Sequence, residues 1–276
     1  MLKSPTSPTR ALYESEGDLR SLRTKILSIN PVASLSETYR SLFKQALPGD
    51  VVVTTEETIF HAQGGGQPSD TGSITVQPEK GGLGARLQVQ SVRRNGNAII
   101  LHQGKLEIAQ LGEEPLAVGS VVEEVLDGDK RDLHSRIHTG GHLLGLAVRQ
   151  LEHEIPDVSE TKAQHYPGAA FVEFRGKIEC KYKEAIQKVL DDLVKQDLPV
   201  AVLWLDDDSL KQRQIYVPDG FGRSSPKGTR VVEIGSLGGY PCGGTHVHST
   251  SKLGKVVVRK IASSKGNTKV SYEVER

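Results

Sequence analysis

Arg136–Val148 reads RIHTGGHLLGLAV, and its interpretation decides the second half of the chain. Leu143, Leu144, Ala147, Val148 and Leu151 fall at helical spacing, which predicts a helix over about residues 130–152 with Asp127 or Asp129 as its N-cap. On such a helix His138 and His142 stand one above the other on one face, where one ion can reach both. Gly140 and Gly141 between them each cost roughly 1 kcal/mol of helix propensity relative to alanine, a cost that something at this position should offset.

Working outward, Ile186, Val189, Leu190, Leu193 and Val194 mark a second helix over about 181–196. Around the two helices lie strand candidates AAFVEFR, VAVLWL, RQIYV, TRVVEIG, KVVVRKIA and TKVSYEVE. Residues 127–276 therefore read as an α+β domain, helices on one face of a largely antiparallel sheet. Residues 25–126 have another rhythm: VVVTTEETIF, GSITVQ, RLQVQSVRR and NAIILHQG, separated by glycine-rich turns, predict a small antiparallel β domain. The lead over 1–24, which opens MLKSPTSPTR, is expected to be disordered.

Composition narrows the function classes. A chain of 276 residues, 36% hydrophobic and 25% charged, has an ordinary globular composition, and its net charge of +1 carries no global signature of a nucleic-acid binder. Only two cysteines, Cys180 and Cys242, argue against a disulfide scaffold and for a reducing, cytoplasmic setting. No apolar run approaches the roughly 18 residues of a membrane span, and no secretory leader is apparent, so a membrane partner is not expected.

The stretch GGYPCGGTHVHS supplies a second set of donors. Cys242 and His246 are four apart, with Gly243 and Gly244 allowing the tight path of a chelate loop. A thiolate with imidazoles suits zinc. His248 and His134 compete as ligands, while Cys180 is expected to pack at a strand end. The motif is not HExxH, since Thr139 stands where a metalloprotease carries its glutamate. Four protein ligands would close a tetrahedral site, whereas catalytic zinc usually keeps an open position.

FHAQGGGQPSDTG, residues 60–72, is the other informative run. Bare backbone amides at Gly64, Gly65 and Gly66 and the amide of Gln67 can face a ligand, although a tight hairpin explains the glycines equally well. It is neither a dinucleotide fingerprint nor a P-loop.

Taken together, HTGGHLL, CGGTHV, TIFHAQGGGQPSDTG and the closing KGNTKVSYEVE resemble the editing domain of alanyl-tRNA synthetase and its free-standing AlaX relatives, in the larger form. The resemblance covers most of the chain and lacks the aminoacylation core. It implies a glycine-rich β-barrel-like domain followed by a zinc-binding editing domain, with His138, His142, Cys242 and His246 as zinc ligands and Gly64–Gln67 beside the substrate cleft. It also makes Gln164 and His165, within KAQHYPGAAFVEFRG, candidate pocket residues, with Gln67, Gln164 and His165 as catalytic candidates.

The activity implied is trans hydrolysis of mischarged aminoacyl-tRNA, seryl-tRNA(Ala) foremost and glycyl-tRNA(Ala) second. The partner is tRNA rather than DNA, met through Arg131, Arg136, Arg223, Lys227, Lys252 and Lys255, with the basic loop 221–230 as the best backbone contact. The synthetase motif has alanine and threonine where this chain has Gly140 and Gly141, so the substrate-facing hydroxyl is missing at Gly141. The space so left would admit substrate, or His165 and Gln164. The competing classes are a zinc-stabilised RNA- or partner-binding protein without catalysis, and a hydrolase of small esters or amides.

Overall fold

A computed structural model describes residues 7–78, 82, 84–107, 114–213, 215 and 228–275. The chain forms two compact units, one of residues 1–64 and 68–131, the other of 65–67 and 132–276. Among the described residues no helix is long and apolar enough to cross a membrane.

The first unit is a closed antiparallel barrel of six strands: β1 (Ser21–Pro31), β2 (Val51–Thr55), β3 (Gly72–Val76), β4 (Arg86–Arg94), β5 (Ile100–Leu106) and β6 (Val121–Leu126). Around the barrel they run β1-β2-β5-β4-β3-β6, and β6 closes on β1 through Ser21↔Val125 to Lys25↔Val121. Alternation places Ile26, Val53, Ile74, Leu87, Val89, Ile100 and Val122 in one core. Within the expected disordered lead, Arg10–Ala11 pairs in parallel with Glu57–Thr58, Leu12 and Tyr13 are buried, and β1 begins at Ser21.

The second unit holds helix α1 (Gly128–Gln150), whose first turn counts with the first unit. Asp127 caps it, accepting at Oδ1 from the Lys130 N–H at 3.2 Å. A four-stranded antiparallel sheet has the order β12-β13-β8-β7, where β7 is Ser159–Gln164, β8 Phe171–Arg175, β12 Lys255–Ser264 and β13 Asn267–Glu275. A second sheet, β9 (Val200–Leu205), β10 (Thr229–Ile234) and β11 (Gly238–Pro241), is also antiparallel. Helix α2 (Lys183–Lys195) contributes Ile186, Leu190 and Leu193 to a core shared with Leu143, Leu144, Ala147, Phe174, Val256 and Val270. The α+β class and the barrel expected from the sequence are thus present. Of the RQIYV segment, Arg213 and Ile215 are described and form no strand; the rest lies outside the described residues.

One polar network sits inside the barrel. Glu124 and His102 are fully buried, joined through Thr58, whose Oγ1 lies 2.8 Å from Glu124 Oε2 and 2.8 Å from His102 Nε2. Oε2 also accepts from the Ile59 N–H, Oε1 from Thr55 Oγ1, and His102 Nδ1 donates to Val53 O at 3.1 Å. Desolvation pushes the Glu124 carboxyl up to about 7 and the His102 imidazole down to about 4. With the acid protonated, Glu124 donates to Thr58 and Thr58 donates to the His102 Nε2 lone pair.

The folded pair, neutral acid and neutral imidazole, carries as many protons as the unfolded carboxylate and imidazolium between about pH 4.5 and 6.5. Glu124 binds its proton more tightly when folded, so its burial costs more stability as pH rises from about 4.5 to 7. His102 binds its proton less tightly, so its burial costs more as pH falls from about 6.5 to 4. The two slopes oppose each other. Urea denaturation across pH 4–7 should therefore show Glu124→Gln gaining stability over the parent protein as pH rises, and His102→Asn losing it, each by up to about 3 kcal/mol. Parallel profiles for all three proteins would sink this account.

Candidate metal centre and adjoining cavity

Helical spacing sets His138 and His142 on one face of α1, their rings stacked with centroids 4.9 Å apart. The loop after β11 brings Cys242 and His246 against them, and one donor atom from each of the four residues lies within 4.8 Å of the others. Cys242 Sγ is 3.4 Å from His138 Nε2 and 3.3 Å from His246 Nε2. Tetrahedral zinc at ordinary bond lengths would separate sulfur and nitrogen by about 3.5 Å, so the donor set fits such an ion.

The protonation pattern fits as well. His138 Nδ1 donates to Gln67 Oε1 at 2.7 Å, which leaves Nε2 as a lone pair facing the thiol. Thr139 Oγ1 donates to Ser135 O at 2.8 Å, so it accepts from His246 Nδ1 at 3.1 Å, and His246 Nε2 is likewise left unprotonated. His142 Nε2 is buried with no hydrogen-bond partner among the described residues, and desolvation pulls its imidazole down to about 3, toward the neutral ligand form. A buried ring nitrogen without a partner is what a cation would satisfy in the tautomer that leaves it unprotonated. Cys242, raised by burial, accepts from the Gly244 N–H at 3.3 Å. At Gly244 a Cβ would stand 2.2 Å from the His138 ring, so only glycine lets this loop approach.

Gln67 is fully buried and serves as a clamp. Its Oε1 also accepts from the Thr245 N–H at 3.0 Å, and its Nε2 donates to Thr245 Oγ1 at 2.9 Å. The sequence suggested that Gln67 would sit beside the substrate; its amide is spent on His138 and Thr245. The backbone of Gly66, at φ +78°, accepts from the His165 N–H at 2.8 Å, and a Cβ there would meet Ala163 O at 2.6 Å. Gly65 lies near His138, a Cβ there standing 3.9 Å from the ring. Gly64 counts with the first unit, and a Cβ there would touch only Ala62 O of its own loop.

The space at Gly141 is taken by side chains. A Cβ would fall 2.4 Å from the His165 ring and 2.6 Å from Tyr272 Oη. Tyr272 Oη donates to Ile137 O at 2.8 Å and so accepts from His165 Nδ1 at 2.7 Å, which leaves Nε2 as the His165 acceptor. His165 stacks on His138 at 4.1 Å, and burial pulls its imidazole down to about 4. Gln164 does not join it: Nε2 donates to Ala169 O at 3.0 Å. Gly140 packs on Val274, Tyr272 and Val256.

Beside the four-residue cluster, and sharing His142 with it, opens a cavity of about 800 Å3, lined by Gly141, His142, His165, Gly145, Glu160 and Tyr240 among others. Tyr240 stacks on His142 at 4.5 Å and donates to Glu160 Oε1 at 2.6 Å, with Arg149 over the tyrosine ring. Sequence reasoning singled out neither Tyr240 nor Tyr272, although both stand inside the quoted runs GGYPCGGTHVHS and KGNTKVSYEVE, nor Glu160, whose strand has no motif around it.

The remaining candidates sort plainly. His248 is exposed, His134 is buried outside the four-residue cluster, and the exposed Cys180 starts a short 3-10 turn, where Sγ donates to Ile261 O. Arg131, expected to meet nucleic acid, is buried in the first unit, ion-paired to Asp70 and donating to Ile59 O and Gly17 O. Arg136 is spent on Leu253 O and Glu275 O, whereas Lys252 and Lys255 are exposed. Arg223 and Lys227 lie outside the described residues.

Residues 229–270 match the family described as the threonyl and alanyl tRNA synthetase second additional domain. The chain is 30% identical over 227 residues to alanyl-tRNA editing protein AlaX-L of Pyrococcus horikoshii, covering 80% of this chain and 51% of that protein. It is 28% identical to the alanine--tRNA ligase of Methanothermobacter thermautotrophicus over 74% of this chain and 21% of the ligase. For the ligase of Anaeromyxobacter sp. the figures are 33%, 76% and 22%. The chain thus spans about half of AlaX-L and about a fifth of the ligases. Residues 229–270 thus carry this second additional domain, and over four fifths of its length the chain is similar to an AlaX-type editing protein.

Cobalt(II) titration of the protein should show about one ion per chain with thiolate-to-cobalt absorption, abolished by Cys242→Ser. Gln67→Ala should keep the stoichiometry and weaken affinity by about 10- to 100-fold, because the His138 tautomer is no longer held. Unchanged affinity in Gln67→Ala would remove the clamp.

Proposed function

We propose that the chain hydrolyses the ester of mischarged aminoacyl-tRNA in trans, in the cytoplasm, with seryl-tRNA(Ala) as its first substrate and glycyl-tRNA(Ala) as its second. The observation that carries this is a His3Cys donor set whose member His142 also lines a cavity large enough for an aminoacyl-adenosine. Similarity to a protein named for alanyl-tRNA editing supports the reading.

His138, His142, Cys242 and His246 would hold zinc, which when bound supplies a Lewis acid and charge stabilisation at the ester. Every other part is the chain's own. Tyr272 holds His165 in the tautomer whose Nε2 accepts, so His165 takes the proton of the attacking water as its oxygen bonds to the acyl carbon and returns it to the ribose oxygen as the ester bond breaks. Gln67 keeps His138 in register without touching substrate. Exposed Lys252 and Lys255 offer contacts to the tRNA backbone.

A second reading is favoured by one observation: four protein donors can close a tetrahedral site, which suits a structural ion in an RNA- or partner-binding protein. Incubation with seryl-, glycyl- and alanyl-tRNA(Ala), with and without chelator, separates the two. Hydrolysis of the seryl ester that chelation abolishes, with alanyl-tRNA spared, is the expected result. His165→Ala should lower kcat by about 100-fold or more at unchanged metal content, and Tyr272→Phe should lower it by less. Tight metal binding without turnover on any of the three would establish the second reading instead.

A further inference from the structure

Glycine recurs along the cavity-facing side of α1 at Gly141 and Gly145, and Arg149 follows at the same four-residue step. A Cβ at Gly145 would stand 2.4 Å from Glu160 Oε1 and 2.6 Å from Oε2, so the missing side chain is what lets the carboxyl of β7 lie over the helix. Its partners both approach one oxygen. Tyr240 Oη donates to Oε1 at 2.6 Å, and Arg149 Nη2 stands 3.6 Å from the same atom. Oε2 has no protein partner among the described residues, in a side chain that lines the cavity and is only 27% exposed.

An ionised carboxylate accepts hydrogen bonds and donates none, so Oε2 selects for donors and repels carbonyl oxygens and anions. Tyr240 is also stacked on His142, so His142 and the Glu160–Tyr240 pair line the cavity side by side. A substrate whose ester lies at the His142 end therefore meets the Glu160–Tyr240 pair with the groups next to its carbonyl. In any aminoacyl ester the cationic donor next to the carbonyl is the α-ammonium. Resting on the aminoacyl-ester reading above, we propose that Glu160 is the binding residue for that α-ammonium group, taking it at Oε2 while Tyr240 and Gly145 hold the carboxyl in place.

The test is calorimetric titration of the metal-loaded protein with three non-hydrolysable adenosines, 3′-amide-linked to alanine, serine or lactate, the last carrying hydroxyl in place of the ammonium. The parent protein should bind the alanyl and seryl compounds at least about tenfold more tightly than the lactyl one. Glu160→Gln should erase that preference and leave lactyl affinity and metal content unchanged. Gly145→Ala, whose methyl displaces only the flexible end of Glu160, should do the same. Equal binding of all three by the parent protein, or a preference that survives in Glu160→Gln, overturns the assignment and leaves the ester-site reading standing. A loss confined to the seryl compound overturns it too, since Glu160 would then serve the side-chain hydroxyl. Failure of the parent protein to bind any of the three would overturn the ester-site reading and this assignment with it.

Discussion

The hydrogen bond from His138 to the Gln67 amide oxygen is the constraint on which the second unit's chemistry rests. That one oxygen is shared between an imidazole on a helix and a backbone N–H in the CGGTH loop. Three segments far apart in sequence are thereby tied at one buried atom. Leaving a buried donor unpaired costs about 1–3 kcal/mol, so loosening any of the three penalises the other two. The same bond settles which nitrogen of His138 bears the proton, and with it whether the ring can serve as a ligand. A residue outside the four-member cluster thus sets the tautomer of one of its members.

Much of this was legible in the sequence, for identifiable reasons. Strong apolar periodicity marked α1 and α2 to within about two residues, and two donor pairs at four-residue spacing marked all four members of the cluster. What stayed hidden was of two kinds. β7 reads SETKAQ, with no apolar alternation because it is a largely exposed edge strand, and the first half of β1 lacks a pattern distinct from the polar lead. The roles of Gln67, Tyr272 and Glu160 come from pairings across 71, 107 and 80 residues, which no local pattern encodes. The glycines illustrate the limit well. The missing side chain at Gly141 suggested room for substrate, or for His165 and Gln164; the fold puts His165 there with Tyr272 in place of Gln164.

The two units meet the problem of burying polar groups in different ways. In the barrel, Glu124 and His102 are kept neutral by desolvation and exchange hydrogen bonds through a single threonine. In the four-residue cluster, histidines are oriented by Gln67 and Thr139, while His142 Nε2 has no partner among the described residues. The first arrangement satisfies its polar atoms internally. The second leaves one ring nitrogen over.

The placement of Glu160 on an edge strand has a consequence for how such a site can change over time. The four clustered donors sit on α1 and on the loop after β11, whereas the carboxyl that faces the cavity is carried by β7, hydrogen-bonded to the sheet on one side only. Edge strands accept substitution more readily than central ones, because fewer neighbours must repack. Residues along β7 can therefore drift, altering the cavity wall, while the helix and loop that carry the cluster remain as they are. The wall of the cavity and the donor cluster are, in this chain, separately variable.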